Sequence, residues 1–169
     1  MTSDTRKPLL TGGCQCGAVR YALYALPHNV HICHCRMCQK AVGGAFAAGA
    51  PVKRSDFAWT RGTPAAFASS SLALRDFCRD CGTPLSFRYR DAETISVTIG
   101  SLDRPQDVPP QTQYGVESRL DWLDGINALP RKSMETELPT KRKAKRVGYQ
   151  HPDHDTPADW KPPGAAKGD

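Results

Sequence analysis

The sequence predicts a mainly β fold of small antiparallel sheets, and three observations favour it. The 14 glycines and 14 prolines among 169 residues indicate frequent turns and argue against a helical bundle. Over residues 1–130 the hydrophobic pattern is mostly that of strands. Seven cysteines fall into three compact groups, and an odd number cannot all form disulfides. Metal sites are therefore expected to organise the sheets.

The individual strands can be placed along the chain. Alternation of apolar and polar side chains predicts strands at residues 19–24, 85–90 and 94–99. Shorter apolar segments bounded by Gly, Pro, Ser or Asp predict further strands, at residues 45–50, 57–59, 65–68 and 72–77. Only residues 36–42 and 121–126 have a briefly helical pattern. No apolar run is long enough for a membrane span, and none resembles a signal peptide, so a cytoplasmic protein is expected.

The last part of the chain, residues 131–169, differs in composition from the rest. It holds nine basic and six acidic side chains and five prolines, and its only residues from the Leu, Ile, Val and Phe set are Leu138 and Val147. So few apolar groups cannot offset the conformational entropy lost on ordering. We therefore expect a metal-binding domain over residues 1–130, followed by a disordered, basic, proline-rich tail. The basic run at 141–146 is interpreted as solvated, so a nucleic-acid partner is not expected.

The cysteines are spaced as metal ligands. A C-x-x-C turn directs two sulfurs to one point, and a following glycine, Gly17 or Gly82, lets the backbone approach a thiolate. One pair plus another makes a closed four-sulfur site typical of structural zinc, and the pairs here are Cys14 with Cys16, spaced C-x-C, and Cys78 with Cys81, spaced C-x-x-C. Three cysteines remain, and three protein ligands with a vacant fourth position suit a catalytic zinc: Cys33, Cys35 and Cys38.

Other arrangements stay open at this level. His31 or His34 would close the second site if either reached it, and the three remaining cysteines would form a single site if they joined Cys78 or Cys81. An iron–sulfur cluster is a further alternative, because thiolates suit both metals. Lys40 lies two residues beyond Cys38 and Arg36 lies within the Cys33–Cys38 group, so both are candidates for holding an anionic substrate.

Several segments together resemble a known family. They are residues 12–21 (GGCQCGAVRY), 33–40 (CHCRMCQK) and 77–82 (FCRDCG), closing with Trp122-Leu123 and Leu129-Pro130. This pattern, over about residues 10–130, resembles the glutathione-dependent formaldehyde-activating (GFA, centromere-protein-V-like) family. The resemblance implies an Mss4-like fold with two Zn²⁺ per chain. It would make Cys33, Cys35 and Cys38 the ligands of a catalytic zinc, and the other four cysteines structural ligands: Cys14, Cys16, Cys78 and Cys81.

One position departs from the family pattern. The family often has a histidine about nine residues before the late tryptophan, where this chain has Gln113. A role assigned to that histidine therefore does not carry over to this sequence.

The resemblance implies an enzyme of the carbon–sulfur lyase class. Its reaction would add glutathione to formaldehyde and give S-(hydroxymethyl)glutathione, with other small thiols and aldehydes as alternative substrates. The competing interpretation is a non-catalytic zinc module that carries a thiol or contacts a protein or nucleic acid. The formal charge of +6 divides equally between residues 1–130 and 131–169. Because seven thiolates and two Zn²⁺ together add −3, the domain would be near neutral and the basic balance would belong to the tail.

Overall fold

The computed structural model describes residues 6–162 of the protein and contains ten strands in two sheets. The strands are β1 Leu10–Gly13, β2 Arg20–Leu23, β3 His31–Cys33, β4 Ala47–Lys53, β5 Phe57–Arg61, β6 Ala65–Ala68, β7 Ala73–Phe77, β8 Pro84–Tyr89, β9 Thr94–Thr98 and β10 Thr112–Tyr114. The smaller sheet has the order β1-β2-β5 and is antiparallel. The larger sheet has the order β10-β3-β4-β9-β8-β7-β6. All its pairings are antiparallel except that of β10 with β3.

The helices are short and lie between strands or after the last one. The α-helices are α1 Arg36–Val42, α2 Met134–Glu137 and α3 Thr140–Lys143. Single 3₁₀ turns lie at Arg54–Asp56, Ile99–Ser101, Pro105–Asp107 and Val116–Ser118, and a longer 3₁₀ helix covers Asp121–Ala128. None of the helices within residues 6–162 has the length and hydrophobicity needed to cross a membrane.

The mainly β fold class is confirmed, and most of the expected elements are found. Each predicted strand overlaps an observed one, and α1 covers the predicted helix at residues 36–42. The predicted helix at 121–126 is instead a 3₁₀ helix. The parallel pairing of β10 with β3 is an addition that alternation does not indicate, because β10 has only three residues, all of them exposed.

The hydrophobic core lies between the two sheets. In β9, Ile95 and Val97 are buried, and their neighbours Thr94, Ser96 and Thr98 face the opposite side of the large sheet. Buried residues from the small sheet pack against this face, among them Tyr21, whose hydroxyl lies 2.8 Å from Ser101 Oγ. The large sheet therefore has one face in the core and one open face.

A segment near the end of the described chain, residues 151–160, packs against the small sheet. The side chain of His151 is 4% exposed, and its backbone N–H donates to the Gln15 carbonyl at 2.7 Å. Asp155 forms an ion pair with Arg20 at 2.7 Å, and Arg61 donates to the carbonyl of Pro157 at 2.9 Å. We call residues 151–160 the docked segment.

For the docked segment the structure differs from the expected disordered tail. The composition argument counted large apolar residues, whereas polar anchors hold this segment: the guanidinium groups of Arg20 and Arg61, together with a ring contact between His151 and Trp160 at 4.6 Å. The domain boundary at residue 130 stays a prediction. The part of the expected tail at 163–169 lies outside the described residues.

Candidate metal centres and the adjoining cleft

The first and last cysteine pairs meet at one point. The sulfurs of this four-cysteine cluster all lie within 4.8 Å of one another: Cys14, Cys16, Cys78 and Cys81. Cys14 and Cys16 are 3.5 Å apart at Sγ, and Cys16 and Cys78 are 3.7 Å apart. Cys14 and Cys78 belong to the hydrophobic core, and the other two pack against it. Because one pair follows β1 and the other follows β7, the cluster joins the two sheets.

Two similar loops shape the four-cysteine cluster. Gly17 and Gly82 each follow a cysteine with φ of +76°, a left-handed conformation that glycine adopts without strain. The N–H of Gly17 donates to the Cys14 carbonyl at 3.0 Å, and that of Gly82 donates to the Cys78 carbonyl at 2.9 Å. The Thr83 hydroxyl accepts from the Gln15 N–H at 3.1 Å and so ties the two loops together.

The spacing of these four sulfurs fits zinc. A tetrahedral Zn²⁺ with Zn–S bonds of about 2.3 Å requires sulfurs about 3.8 Å apart. The observed separations of 3.5 and 3.7 Å are close to that value. Four thiolates with no oxygen or nitrogen donor are a soft ligand set, which suits zinc and disfavours magnesium or calcium.

The thiols of the four-cysteine cluster differ in their readiness to ionise. Partial burial raises the pKa of Cys16 and raises that of Cys78 to about 11. Burial also opposes ionisation of Cys81, but hydrogen bonds from the side chain and backbone of Thr83 and from Cys16 together lower its pKa to about 6. Because burial holds these two thiols protonated, Cys16 and Cys78 become thiolates near neutral pH only when a cation is bound.

The middle cysteines form a second, separate group. In this three-cysteine cluster the Sγ atoms of Cys33, Cys35 and Cys38 lie within 4.8 Å of one another, and all three residues are partly exposed. Cys33 ends β3, and Cys35 caps α1, with its sulfur accepting from the Cys38 N–H at 3.4 Å. The helix start thus holds the sulfurs together over six residues of chain.

Ionisation in the three-cysteine cluster is also uneven. Burial raises the pKa of Cys33 to about 12, and the neighbouring thiols add to the effect. Burial acts in the same direction at Cys35, but hydrogen bonds from Cys38, Cys33 and the Met37 backbone together lower its pKa. The donor set of three sulfurs again fits zinc, whose cysteine ligands bind as thiolates.

Among residues 6–162 neither cluster includes a histidine ligand. His31 has its Nδ1 on the Asn29 carbonyl at 2.8 Å, and His34 is 1% exposed with its Nε2 at 2.9 Å from Gln113 Oε1. The structure therefore does not support a histidine-closed second site, nor a single site that combines the three cysteines with Cys78 or Cys81.

Gln113 has a defined structural place. Its contact with His34 joins β10 to the cysteine loop, and the His34 N–H donates to the Tyr114 carbonyl at 2.8 Å. Gln39 on α1 adds to these contacts by donating from Nε2 to the carbonyls of His34, at 2.6 Å, and Ser118, at 2.9 Å. The position where the resemblance expects a histidine is thus occupied by an amide that holds a buried imidazole.

A cleft of about 1200 Å³ lies on the open face of the large sheet and reaches the three-cysteine cluster. Binding sites for small molecules commonly have about 300–1,000 Å³, so the cleft has room for a peptide-sized thiol. Beside the sulfurs it is lined by His31, Lys40, Arg75 and Tyr114. The cleft also has apolar lining residues, which are Phe67, Leu72, Phe87 and Tyr89.

The structure separates the predicted substrate-binding cations. Lys40 is exposed and lines the cleft. Arg36 is not among the cleft residues, and its guanidinium donates to Gln39 Oε1. The prediction of a substrate contact by Arg36 therefore gains no support from the geometry, because α1 turns this side chain towards Gln39.

Sequence reasoning missed Arg75. This residue of β7 donates from Nη2 to Cys38 Sγ at 3.3 Å, although 37 residues separate the two in the chain. Alternation assigns Arg75 to one face of a strand, but only the sheet order shows that this face lies beside the cysteines.

These features define a small β protein with two cysteine clusters that could each hold a metal ion, one packed in and against the core and one at the edge of a large cleft. The chain belongs to the glutathione-dependent formaldehyde-activating enzyme (GFA) family, whose model matches residues 9–118. The matched range contains both cysteine clusters and β10.

Relatives of known name are moderately similar. A protein of Schizosaccharomyces pombe named "Uncharacterized lyase" is 29% identical over 121 residues, which cover 71% of this chain and 88% of the relative. A Halomonas elongata protein named "Putative glutathione-dependent formaldehyde-activating enzyme" is 29% identical over 129 residues, covering 69% and 80%. The fold is similar to a crystal structure of a Rhodobacter sphaeroides protein, with a TM-score of 0.51 and 26% identity over 62% of this chain and 98% of that one. The names support an enzyme role at the level of the family.

Proposed function

We propose that this chain is an enzyme that adds a small thiol, glutathione in the first place, to formaldehyde or a related small aldehyde. The observation that carries the proposal is the position of the three-cysteine cluster, partly exposed at the edge of a large cleft. Family membership and the names of the relatives support the same chemistry. The proposal includes a reducing, cytoplasmic setting, because the thiols must stay reduced to act as ligands.

The two clusters are assigned different roles in this proposal. The four-cysteine cluster would hold a structural zinc, because its members lie in or against the core and join the two sheets. Cys33, Cys35 and Cys38 would hold a second zinc, which when bound stabilises a substrate thiol as its thiolate at neutral pH.

The cleft residues supply orientation for a simple addition. The thiol loses its proton, the sulfur forms a bond with the aldehyde carbon, and the carbonyl oxygen takes up a proton, so that no oxidant or reductant is required. Lys40 and Arg75 line the cleft beside the sulfurs and are placed to attract the carboxylates of glutathione. Holding both reactants in one cleft favours the bimolecular step by reducing its entropic cost.

The test is a titration of zinc-loaded protein with glutathione, with and without formaldehyde. We expect glutathione to change the metal coordination spectrum, and we expect the formation of S-(hydroxymethyl)glutathione, followed by NMR, to exceed the uncatalysed rate. A protein that leaves both the spectrum and the rate unchanged would contradict the proposal. That outcome is the one expected of the non-catalytic zinc module.

A further inference from the structure

Arg75 stands in a row of side chains that crosses the open face of the large sheet. On one side it pairs in register with Phe67 of β6, and on the other with Phe87 of β8. Its guanidinium carbon lies 4.9 Å from the centre of the Phe87 ring, a cation–π distance. From this position Nη2 donates to Cys38 Sγ at 3.3 Å.

The partners of Arg75 differ from those of Arg20 and Arg88, two other buried or half-buried arginines. Arg20 pairs with Asp103 at 2.5 Å, and Arg88 pairs with Asp76 at 3.0 Å. Within residues 6–162 no ion pair joins Arg75 to a carboxylate, and its buried Nε has no hydrogen-bond partner there. The hydrogen bond of the Arg75 side chain is instead the one that Nη2 donates to the sulfur of Cys38 at 3.3 Å.

The charge of the three-cysteine cluster explains why such a cation matters. Three thiolates around one divalent metal sum to −1, and a substrate bound as a thiolate brings the sum to −2. Each added negative charge is disfavoured by those already present, more strongly in a partly buried site than in water. A guanidinium that donates to one of the sulfurs offsets this repulsion.

We propose that Arg75 is a positioning residue that balances the charge of the three-cysteine cluster, so that the cluster accepts a thiol as its anion in preference to a neutral ligand. The inference rests on the proposed function of that cluster as a thiol site. Arg36 is turned to Gln39, and no contact joins Lys40 to a sulfur in the described part of the chain. Arg75 is thus the cation with a direct contact to the cluster.

The experiment compares an anionic with a neutral ligand on cobalt-loaded protein. The probes are 2-mercaptoethanol, which has no carboxylate for an arginine to bind, and imidazole. In Arg75→Met we expect the affinity for 2-mercaptoethanol to fall about tenfold, the size of one charge-assisted hydrogen bond, with imidazole affinity within about twofold of the wild type. The thiolate-to-cobalt charge-transfer band of the protein alone should also shift, since Cys38 loses a donor. The affinity of Arg75→Lys for 2-mercaptoethanol should lie between those of the wild type and Arg75→Met.

Arg90→Met is the matched control, because it removes an equal charge from an exposed residue in the turn after β8, whose side chain donates to the Ser71 carbonyl at 3.1 Å. Equal losses for the thiol and for imidazole in Arg75→Met would mean that Arg75 only shapes the cleft, and would overturn the inference. An unchanged charge-transfer band would overturn it too. If the wild type binds no thiol, the proposed function fails, while the band comparison still decides whether Arg75 donates to Cys38.

Discussion

Cys35 and Cys81 show how position, more than residue type, separates the two clusters. Cys35 lies at the cleft, in a cluster built from six consecutive residues, whereas Cys81 packs against the core in the cluster that joins the sheets. We expect Cys35→Ser to change the free energy of unfolding by no more than about 1 kcal/mol and to abolish thiol binding. Cys81→Ser should lower that free energy by about 3 kcal/mol or more, because a structural metal contributes directly to folding.

Urea unfolding of the two zinc-loaded variants, with a glutathione titration of each, measures both effects. If Cys35→Ser unfolds as readily as Cys81→Ser, the assignment of separate structural and substrate-binding clusters is wrong.

Gly17 and Gly82 form a second matched pair at the scale of the residue. Both have φ of +76°, so alanine costs about 1 kcal/mol of backbone strain at either position. A Cβ at Gly82 would meet nothing within 4 Å, whereas at Gly17 it would lie 2.3 Å from Cδ2 of His151. We expect Gly17→Ala to lower the free energy of unfolding by about 2 kcal/mol more than Gly82→Ala. Equal losses in thermal or urea unfolding would show that the docked segment does not bear on Gly17.

Residue types and local spacing revealed the ligands but not their surroundings. The cysteine spacing and the resemblance pointed to the two groups that the structure brings together, because C-x-C and C-x-x-C turns are local. Arg75 was missed and Arg36 was favoured because proximity along the chain replaced proximity in space. The hydrogen bond from His34 to Gln113 spans 79 residues and has no local signature.

The contribution of the docked segment to the stability of the protein can be measured by substituting one residue, His151. His151 packs its ring on Trp160 and against Gly17, and its Nε2 lies 2.8 Å from Thr156 Oγ1. We expect His151→Ala to lower the free energy of unfolding by about 1–3 kcal/mol and to speed the loss of metal from the four-cysteine cluster to a chelator. Thiol binding at the cleft should be unchanged.

His154→Ala is the control for this change, because His154 lies three residues away and is exposed. If both variants lose metal at the wild-type rate, the docked segment does not protect the four-cysteine cluster.

His151 also makes the packing of the docked segment sensitive to acid. Burial and the positive charge of Arg20, and more weakly that of Arg61, lower the pKa of His151 against opposing effects of Pro152 and Asp103. Its stabilising contribution is therefore complete above the unfolded pKa of about 6.5, and it is lost as pH falls through the lowered folded value. The difference in unfolding free energy between the wild type and His151→Ala should shrink between about pH 7.5 and about pH 5.5. A difference that stays constant across this range would indicate that His151 is not held neutral.

The sequence pattern predicted strands correctly where one face of the strand is buried and the other is not. Residues 94–99 alternate strictly because Ile95 and Val97 enter the core while their neighbours face the cleft. The pairing of β10 with β3 could not be foreseen, because Thr112–Tyr114 carries no buried side chain to reveal it. The docked segment escaped a composition argument because charged and aromatic side chains hold it.

At the scale of the whole molecule, the two metals should differ in how much each contributes to the stability of the fold. The four-cysteine cluster closes a loop between residues 62 positions apart and links both sheets, whereas the three-cysteine cluster lies within one short segment. Metal analysis should return two zinc ions per chain, and limited chelator should remove one with the far-UV circular dichroism unchanged. Removal of the second should coincide with unfolding, because a long closed loop gains the most from a metal clip. Loss of both metals in one step would contradict this division.

The parallel pairing of β10 with β3 also has a consequence for how the protein forms. Antiparallel neighbours such as β7 and β8 can join as soon as their hairpin is made, but β10 must return to a strand roughly 80 residues earlier in the chain. During synthesis all seven cysteines of the two clusters have been made once the ribosome has added Cys81. Gln113 and Tyr114 of β10, which pair with β3, are made later. The nascent protein therefore has both sets of cysteines in hand before the cleft beside the three-cysteine cluster is complete.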